Sequence, residues 1–167
     1  MNQPVRFRYV QASDLPALEW EGEYIHFRRL YAEVYQRVEK GDGVMWVIEM
    51  EDGKIIGQLF ISFVSTRPEL SNGRSRAYIY GFRVRPEYRN QGFGTALMHR
   101  VEQDLVRRGF QTVTLNVAQD NPDALRLYKR LGYRVITNEA GEWSYVDHNG
   151  DRQYVKEPAW RMEKNLF

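Results

Sequence analysis

Cysteine is absent from the 167 residues of this chain. That excludes disulfides, thiolate nucleophiles and cysteine-ligated metals together. Histidine is nearly as scarce: His26, His99 and His148 are far apart in sequence, and no metal-ligand spacing joins them, so no metal site is expected. An excess of one charge is also lacking. The 24 Lys and Arg against 22 Asp and Glu leave a net charge of +2, too small to argue for nucleic acid or an acidic membrane face. No apolar run is long enough to span a bilayer. The opening stretch, MNQPVRFRYVQASD, has no apolar core of the signal-peptide kind. Together these absences fit a cytoplasmic protein with no membrane and no nucleic-acid partner.

What is present suits one domain over residues 1–167, with 43% hydrophobic and 14% aromatic residues to fill a core. Alternation predicts strands at 5–10, 44–50, 54–64, 77–84 and 112–117, and Asp52-Gly53 signals a hairpin. Ser13 or Asp14 is expected to cap a short helix with Pro16 in its first turn. Tyr24, Phe27, Tyr31, Val34 and Val38 keep helical spacing up to a stop at Gly41. Further helices are expected from the glycines at 92 and 94 to about Arg108, and over 122–131 with Gly132 as the stop. Two or three strands follow, with Asn149-Gly150 at a hairpin, and 159–166 closes the chain. Gly81 lies inside a strand and marks a bulge. The class is α+β, with hairpins and one strand–helix–strand unit in the middle.

The stretch RNQGFGTA (89–96) places two glycines at the mouth of a helix, although glycine costs a helix about 1 kcal/mol relative to alanine. A helix N-terminus has unpaired N–H groups and a positive dipole end, and it binds anions. Without Cβ atoms, Gly92 and Gly94 let a phosphate approach the backbone, and Arg89 adds a charge at the same mouth. The P-loop pattern does not occur. The dinucleotide pattern G-x-G-x-x-G meets Leu97 at its third glycine. On this motif alone, a tight turn with no ligand stays open.

A second stretch, NVAQDNPDALRLYKRLGY (116–133), offers Asn121 as N-cap and Pro122 at the first helical position. Ala124, Leu127, Tyr128 and Leu131 share one face. Tyr128 alone reads as a core aromatic.

The two stretches together resemble the GNAT superfamily of N-acetyltransferases. Its phosphate-loop pattern [QR]-x-x-G-x-[GA] is met by Arg89, Gly92 and Gly94, and its lead-in V-x-P-x-Y-R by Val84, Pro86, Tyr88 and Arg89. Its downstream pattern is met by Asn121, Ala124, Tyr128, Gly132 and Tyr133. The resemblance implies a mixed, mostly antiparallel sheet flanked by helices, with two central strands splayed apart. It implies acetyl-CoA, or another acyl-CoA, as cosubstrate. The backbone N–H groups of Gln91, Gly92, Phe93, Gly94 and Thr95 would take the pyrophosphate. The pantetheine arm would run between the strand of Phe82 and Val84 and the strand of Asn116, with Asn121 and Ala124 beside it. Arg126, Lys129 and Arg130 would meet the adenosine phosphates, although each reads more simply as part of a solvated helix face. A backbone N–H near Val84 would hold the oxyanion. Tyr128 would protonate the departing thiolate or hydrogen-bond to it.

The resemblance does not name the base. Some relatives that act on protein N-termini carry Glu where this chain has Asn116, which could position the amine or a water instead. Glu23, Glu49, Asp147 and Glu157 are the base candidates, and each reads more simply as a solvated carboxylate. The acceptor is expected to be a small-molecule or peptide amine. EWEGEY (19–24) offers three carboxylates interleaved with Trp20 and Tyr24 to a cationic amine, or is an ordinary acidic loop whose rings are core. The stretch 142–160 would wall the acceptor groove with Trp143, Tyr145 and Tyr154, or supply an edge strand that pairs two subunits in a homodimer. The rival reading is a CoA-sensing or partner-binding module without turnover.

Overall fold

Val44, Trp46 and Ile48 alternate with Met45 and Val47 along one strand, and both sets are buried in different hydrophobic clusters. A strand buried on both faces must be covered by a layer on each side. The computed structural model, which describes residues 4–167, shows those layers. The strands are β1 (Val5–Tyr9), β2 (Gly43–Met50), β3 (Ile55–Ser62), β4 (Arg76–Val84), β5 (Thr112–Ala118), β6 (Arg134–Glu139), β7 (Glu142–Val146), β8 (Arg152–Lys156) and β9 (Ala159–Asn165). The helices are α1 (Arg28–Glu39), α2 (Phe93–Arg107) and α3 (Pro122–Arg130), with short 3-10 turns at Ala12–Glu19, Ile25–Phe27 and Pro86–Tyr88. Seven strands form one sheet in the order β1-β2-β3-β4-β5-β9-β6, and β7 with β8 forms a separate hairpin. Among the described residues only β4 and β5 run parallel; the other pairs are antiparallel. The expected α+β class therefore holds.

The α2 and α3 helices cover one face, where Leu97, Met98, Val101 and Leu105 of α2 are fully buried against Ile79, Val113 and Leu115. On the other face, Tyr31 and Val34 of α1 pack with Leu18, Met45, Val47 and Phe60. Among the described residues no helix is long and apolar enough to cross a membrane.

Two local expectations need correction. Gln11, not Ser13 or Asp14, is the cap of the first turn; Asp14 sits at its third position and accepts the Gln11 N–H at 2.7 Å. That turn is 3-10, with Pro16 inside it rather than in its first turn. The helix expected from Tyr24 opens as a 3-10 turn and becomes α-helical only at Arg28.

One bulge positions the rest. Tyr80 pairs with Phe60 and Arg83 with Gln58, so Gly81 and Phe82 together oppose Leu59. Gly81 sits at φ +63°, and a Cβ there would lie 2.5 Å from Phe60 Cδ2. An extra residue reverses side-chain alternation. Below the bulge Tyr78 and Tyr80 face α1; above it Phe82 and Val84 face α2, which leaves Arg83 and Arg85 on the α1 side.

Candidate active site

The pairing of β4 with β5 stops early. Arg76, Ala77, Tyr78 and Ile79 pair with Thr112, Val113, Thr114 and Leu115, and no pairing continues beyond them. Asn116, Val117 and Ala118 pair only with β9, through Arg161, Trp160 and Ala159. The strands part from Tyr80 and Asn116 onward, as the resemblance implied. Arg85 donates its N–H to Ile56 O on β3 at 2.8 Å. Backbone groups alternate along a strand, so the Val84 N–H and C=O turn the opposite way, into the parting. The Val84 carbonyl takes the Arg89 Nε–H at 2.8 Å. Arg89 is exposed and folds back along the strand end.

The glycine turn opens beside this gap. Gly92 is the N-cap of α2 at φ +86°, and the first helical bond runs from Ala96 N to Gly92 O at 3.0 Å. Among the described residues, the N–H groups of Gln91, Gly92, Phe93, Gly94 and Thr95 meet no protein acceptor. They sit at the positive end of a 15-residue helix. The two glycines serve different ends. Gly92 needs its left-handed φ, and nothing lies within 4 Å of where its Cβ would be. Gly94 lies inside the first turn, where a Cβ would stand 3.2 Å from Phe82 Cζ. Phe93 is buried and anchors the turn to the core.

Across the gap, α3 begins as expected. Asn121 caps it, its Oδ1 accepting the Ala124 N–H at 3.2 Å, and Pro122 follows. That bond uses one of the two lone pairs of Oδ1, and the Asn121 amide N–H groups stay free for a ligand among the described residues. Tyr128 is 8% exposed, with its ring 6.5 Å from Phe82 and 6.1 Å from Tyr133. Burial alone pushes its phenol up to about 12. Among the described residues its hydroxyl has no protein hydrogen-bond partner. Arg126 pairs with Asp123 of its own helix, and Lys129 and Arg130 are exposed.

The α1 face of the parting carries residues that the sequence reading passed over. Tyr78 and Tyr80 stack at 5.5 Å, and the Tyr78 hydroxyl lies 3.4 Å from Asn116 Nδ2. Among the described residues the buried Asn116 Oδ1 has no partner, a position that costs free energy unless something donates to it. Burial pushes the Tyr78 phenol up to about 12. The aromatic row continues through Phe60, Tyr31 and Phe27 to Tyr145 and Trp143. The strict alternation of AYIY was the one signal that could have put both tyrosines on a single face.

Several expected residues do other work. Glu49 is tied to Arg6 at 2.7 Å and Arg8 at 2.6 Å, which hold its carboxyl below the usual range. Asp147 accepts the N–H groups of Asn149 and Asp151 and the Gln153 amide, so it builds the hairpin turn. Glu23 and Glu157 are exposed. In EWEGEY, Glu19 pairs with Arg28 and Glu21 with Arg85. The ring of Trp20 lies under Arg85 and that of Tyr24 under Arg83. Two of the loop's three carboxylates are thus spent on arginines, and each of its two rings already carries a guanidinium over one face. Trp143 and Tyr145 do turn toward Phe27, but Tyr154 is 81% exposed on the outer face of the hairpin. Among the described residues no group of three or more His, Asp or Glu side chains gathers as a metal site.

Comparison with known proteins agrees with this geometry. The profile of the Acetyltransferase (GNAT) family matches residues 10–133. The ribosomal-protein-S18-alanine N-acetyltransferase of Escherichia coli superposes with a TM-score of 0.72 at 21% identity, over 98% of this chain and 94% of that one. NAA60 of Arabidopsis thaliana, solved with acetyl-CoA, gives 0.72 at 23% identity, over 97% and 98%. The spermidine/spermine N-acetyltransferase SpeG of Vibrio cholerae gives 0.71 at 19%, over 97% and 92%.

Proposed function

The chain belongs to the GNAT family of acetyltransferases, and on that premise we propose that it moves an acetyl group from acetyl-CoA to a primary amine by direct attack, with no acyl-enzyme. The observation that carries this reading is the parting of β4 from β5 beside five N–H groups at the mouth of α2 that are unpaired among the described residues. That row of donors fits a diphosphate. The parted strand edges leave backbone groups that need partners, and the amides of a pantetheine arm fit them. Phe82, Ala124 and Asn121 would border the arm. The Val84 N–H, turned into the gap, would hold the carbonyl oxygen as charge builds on it.

Attack by the amine nitrogen on the acetyl carbon breaks the carbon–sulfur bond and releases a thiolate. Tyr128 has a phenol near 12, against about 8.5 for a free thiol. Complete transfer of its proton would run uphill by about 5 kcal/mol. Tyr128 would therefore act by holding a hydrogen bond to the thiolate as it forms, while the ammonium of the new amide loses its proton to water. Asn116 and the Tyr78 hydroxyl would hold the amine or that water, since the unpartnered Asn116 Oδ1 accepts but cannot take a proton. The lack of cysteine fits a cytoplasmic enzyme, and its acceptor would be a small-molecule or peptide amine.

The test is a thiol-release assay over an amine panel, with acetyl-CoA binding followed by calorimetry. Tyr128→Phe is expected to lower kcat about 100-fold with acetyl-CoA affinity held within about threefold. An unchanged rate removes Tyr128 from the reaction. Binding of acetyl-CoA by the wild type with no thiol released on any amine replaces the enzyme by a CoA-sensing module.

A further inference from the structure

The charges on the α1 side of the parted strands do not balance. Three carboxylates there are already committed: Glu19 to Arg28, Glu21 to Arg85, and Glu139 to both Arg67 and Arg161; Glu23 is exposed and, among the described residues, in no ion pair. Arg83 stands outside every ion pair of the described residues, although it is half-buried. Its guanidinium lies 3.9 Å from the Tyr24 ring centre and 5.4 Å from that of Phe27. Burial raises the Tyr31 phenol and the charge of Arg83 pulls part of that rise back, so the guanidinium reaches the aromatic row. On the next strand residue, the Val84 N–H faces the gap.

The corner that presents Tyr24 is held under strain. Trp20 and Glu21 are both left-handed, at φ +49° and +57°, before Gly22 at +103°. Non-glycine residues persist in that region only where their surroundings over-determine them. Here the Glu21–Arg85 pair and the buried Trp20 do so, and Tyr24 packs edge-on against Trp20 at 5.2 Å. The Arg83 fork is thus held in place without a carboxylate, and a guanidinium presents five donors shaped for one. A cationic acceptor tail would find the Tyr24 face under Arg83 taken and meet a like charge there.

We infer that Arg83 selects the acceptor, and that the acceptor is an amine with a carboxylate close to its nitrogen. This rests on the acetyl-transfer reading and deepens it. The chemistry has two sources, a free amino acid or a peptide N-terminus with an acidic residue beside it.

The experiment uses matched amines that differ in the anion alone: tyrosine against tyramine, and tetrapeptides beginning Ala-Glu against Ala-Gln. Each is offered to the wild type, Arg83→Gln and Arg83→Lys, with kcat/KM from thiol release and binding to the CoA-loaded protein by calorimetry. The carboxylate member of at least one pair is expected to lead by about tenfold or more. Arg83→Gln is expected to erase that lead and Arg83→Lys to keep part of it, with acetyl-CoA affinity unchanged in both. Preference in the tyrosine pair names the free amino acid, and preference in the peptide pair names the N-terminus. Equal members in both pairs, a lead for the uncharged member, or a lead that survives Arg83→Gln overturns the inference. If no amine is acetylated, the enzyme reading fails, and the calorimetric preference judges Arg83 by the same criteria. Unfolding of Arg83→Gln, read by circular dichroism, passes the decision to Arg83→Lys, which must then lower the lead.

Discussion

Replacing Gly92 and Gly94 singly by alanine separates two physical roles in one turn. At Gly92 the methyl group enters open space, so the cost is conformational alone. Holding alanine at φ +86° costs about 1–2 kcal/mol, or about 2–8 °C in Tm for a chain of this size. At Gly94 the backbone is helical and alanine gains about 1 kcal/mol of propensity. The new methyl would sit 3.2 Å from Phe82 Cζ and 3.8 Å from Val84 Cγ2, so the ring must give by a few tenths of an ångström. Stability is then nearly unchanged, while Phe82 is pressed toward the gap where the pantetheine arm would run. Thermal melts and acetyl-CoA calorimetry read both terms. Gly92→Ala should lower Tm and weaken binding through a distorted donor row. Gly94→Ala should keep Tm within about 2 °C yet weaken binding, and Phe82→Leu in the same chain should restore it. If both variants bind acetyl-CoA as the wild type does, the diphosphate is not held at this turn.

Two further outcomes concern stability. The phenols of Tyr78 and Tyr128 are both raised to about 12 in the folded chain, against about 10 unfolded. Their contribution is complete below pH 10 and is lost as pH rises through 12, because the unfolded chain gives up these protons first. Each phenol puts about 3 kcal/mol at stake, so urea unfolding at pH 8, 10 and 11 should show a fall that Tyr128→Phe makes shallower. Glu102, buried on α2, accepts the Tyr133 hydroxyl at 2.8 Å and pairs with Lys164 at 2.7 Å. Glu102→Ala should cost about 3 kcal/mol by leaving both partners unmatched, with acetyl-CoA affinity unchanged once the melt confirms a folded sample.

The donor side of the site was legible in the sequence because local chain geometry builds it. Gly92, Pro122, the Asn121 cap and the stripe Leu97, Val101, Leu105 each act within a few residues of themselves. The acceptor side is not local. Arg83 meets Tyr24, and Phe27 meets Trp143, across much of the chain, and no periodicity states such a meeting. The choice in EWEGEY between bait for a cation and an ordinary acidic loop stayed open in the sequence because Arg28 and Arg85, the partners of Glu19 and Glu21, lie outside that stretch. Gln11 was passed over as a cap because Asp14 has the better side chain for the task, yet Asp14 does that work from the third position.

Gly81 ties the two sides together. With unbroken alternation, Phe82 and Val84 would join Tyr78 and Tyr80 on the α1 face, and Arg83 and Arg85 would point into the apolar layer under α2. Burying two guanidinium groups there is far costlier than one extra residue in a strand. The bulge at φ +63° avoids that cost, and the Phe60 ring, 2.5 Å from where a Cβ would be, leaves room for no side chain at position 81. From one point on β4 the chain therefore sends an apolar wall to the donor side and a cation to the acceptor side, one residue apart. The face reversal is set at the point where β4 leaves β5, so the parting that receives the donor and the charge that reads the acceptor depend on the same glycine.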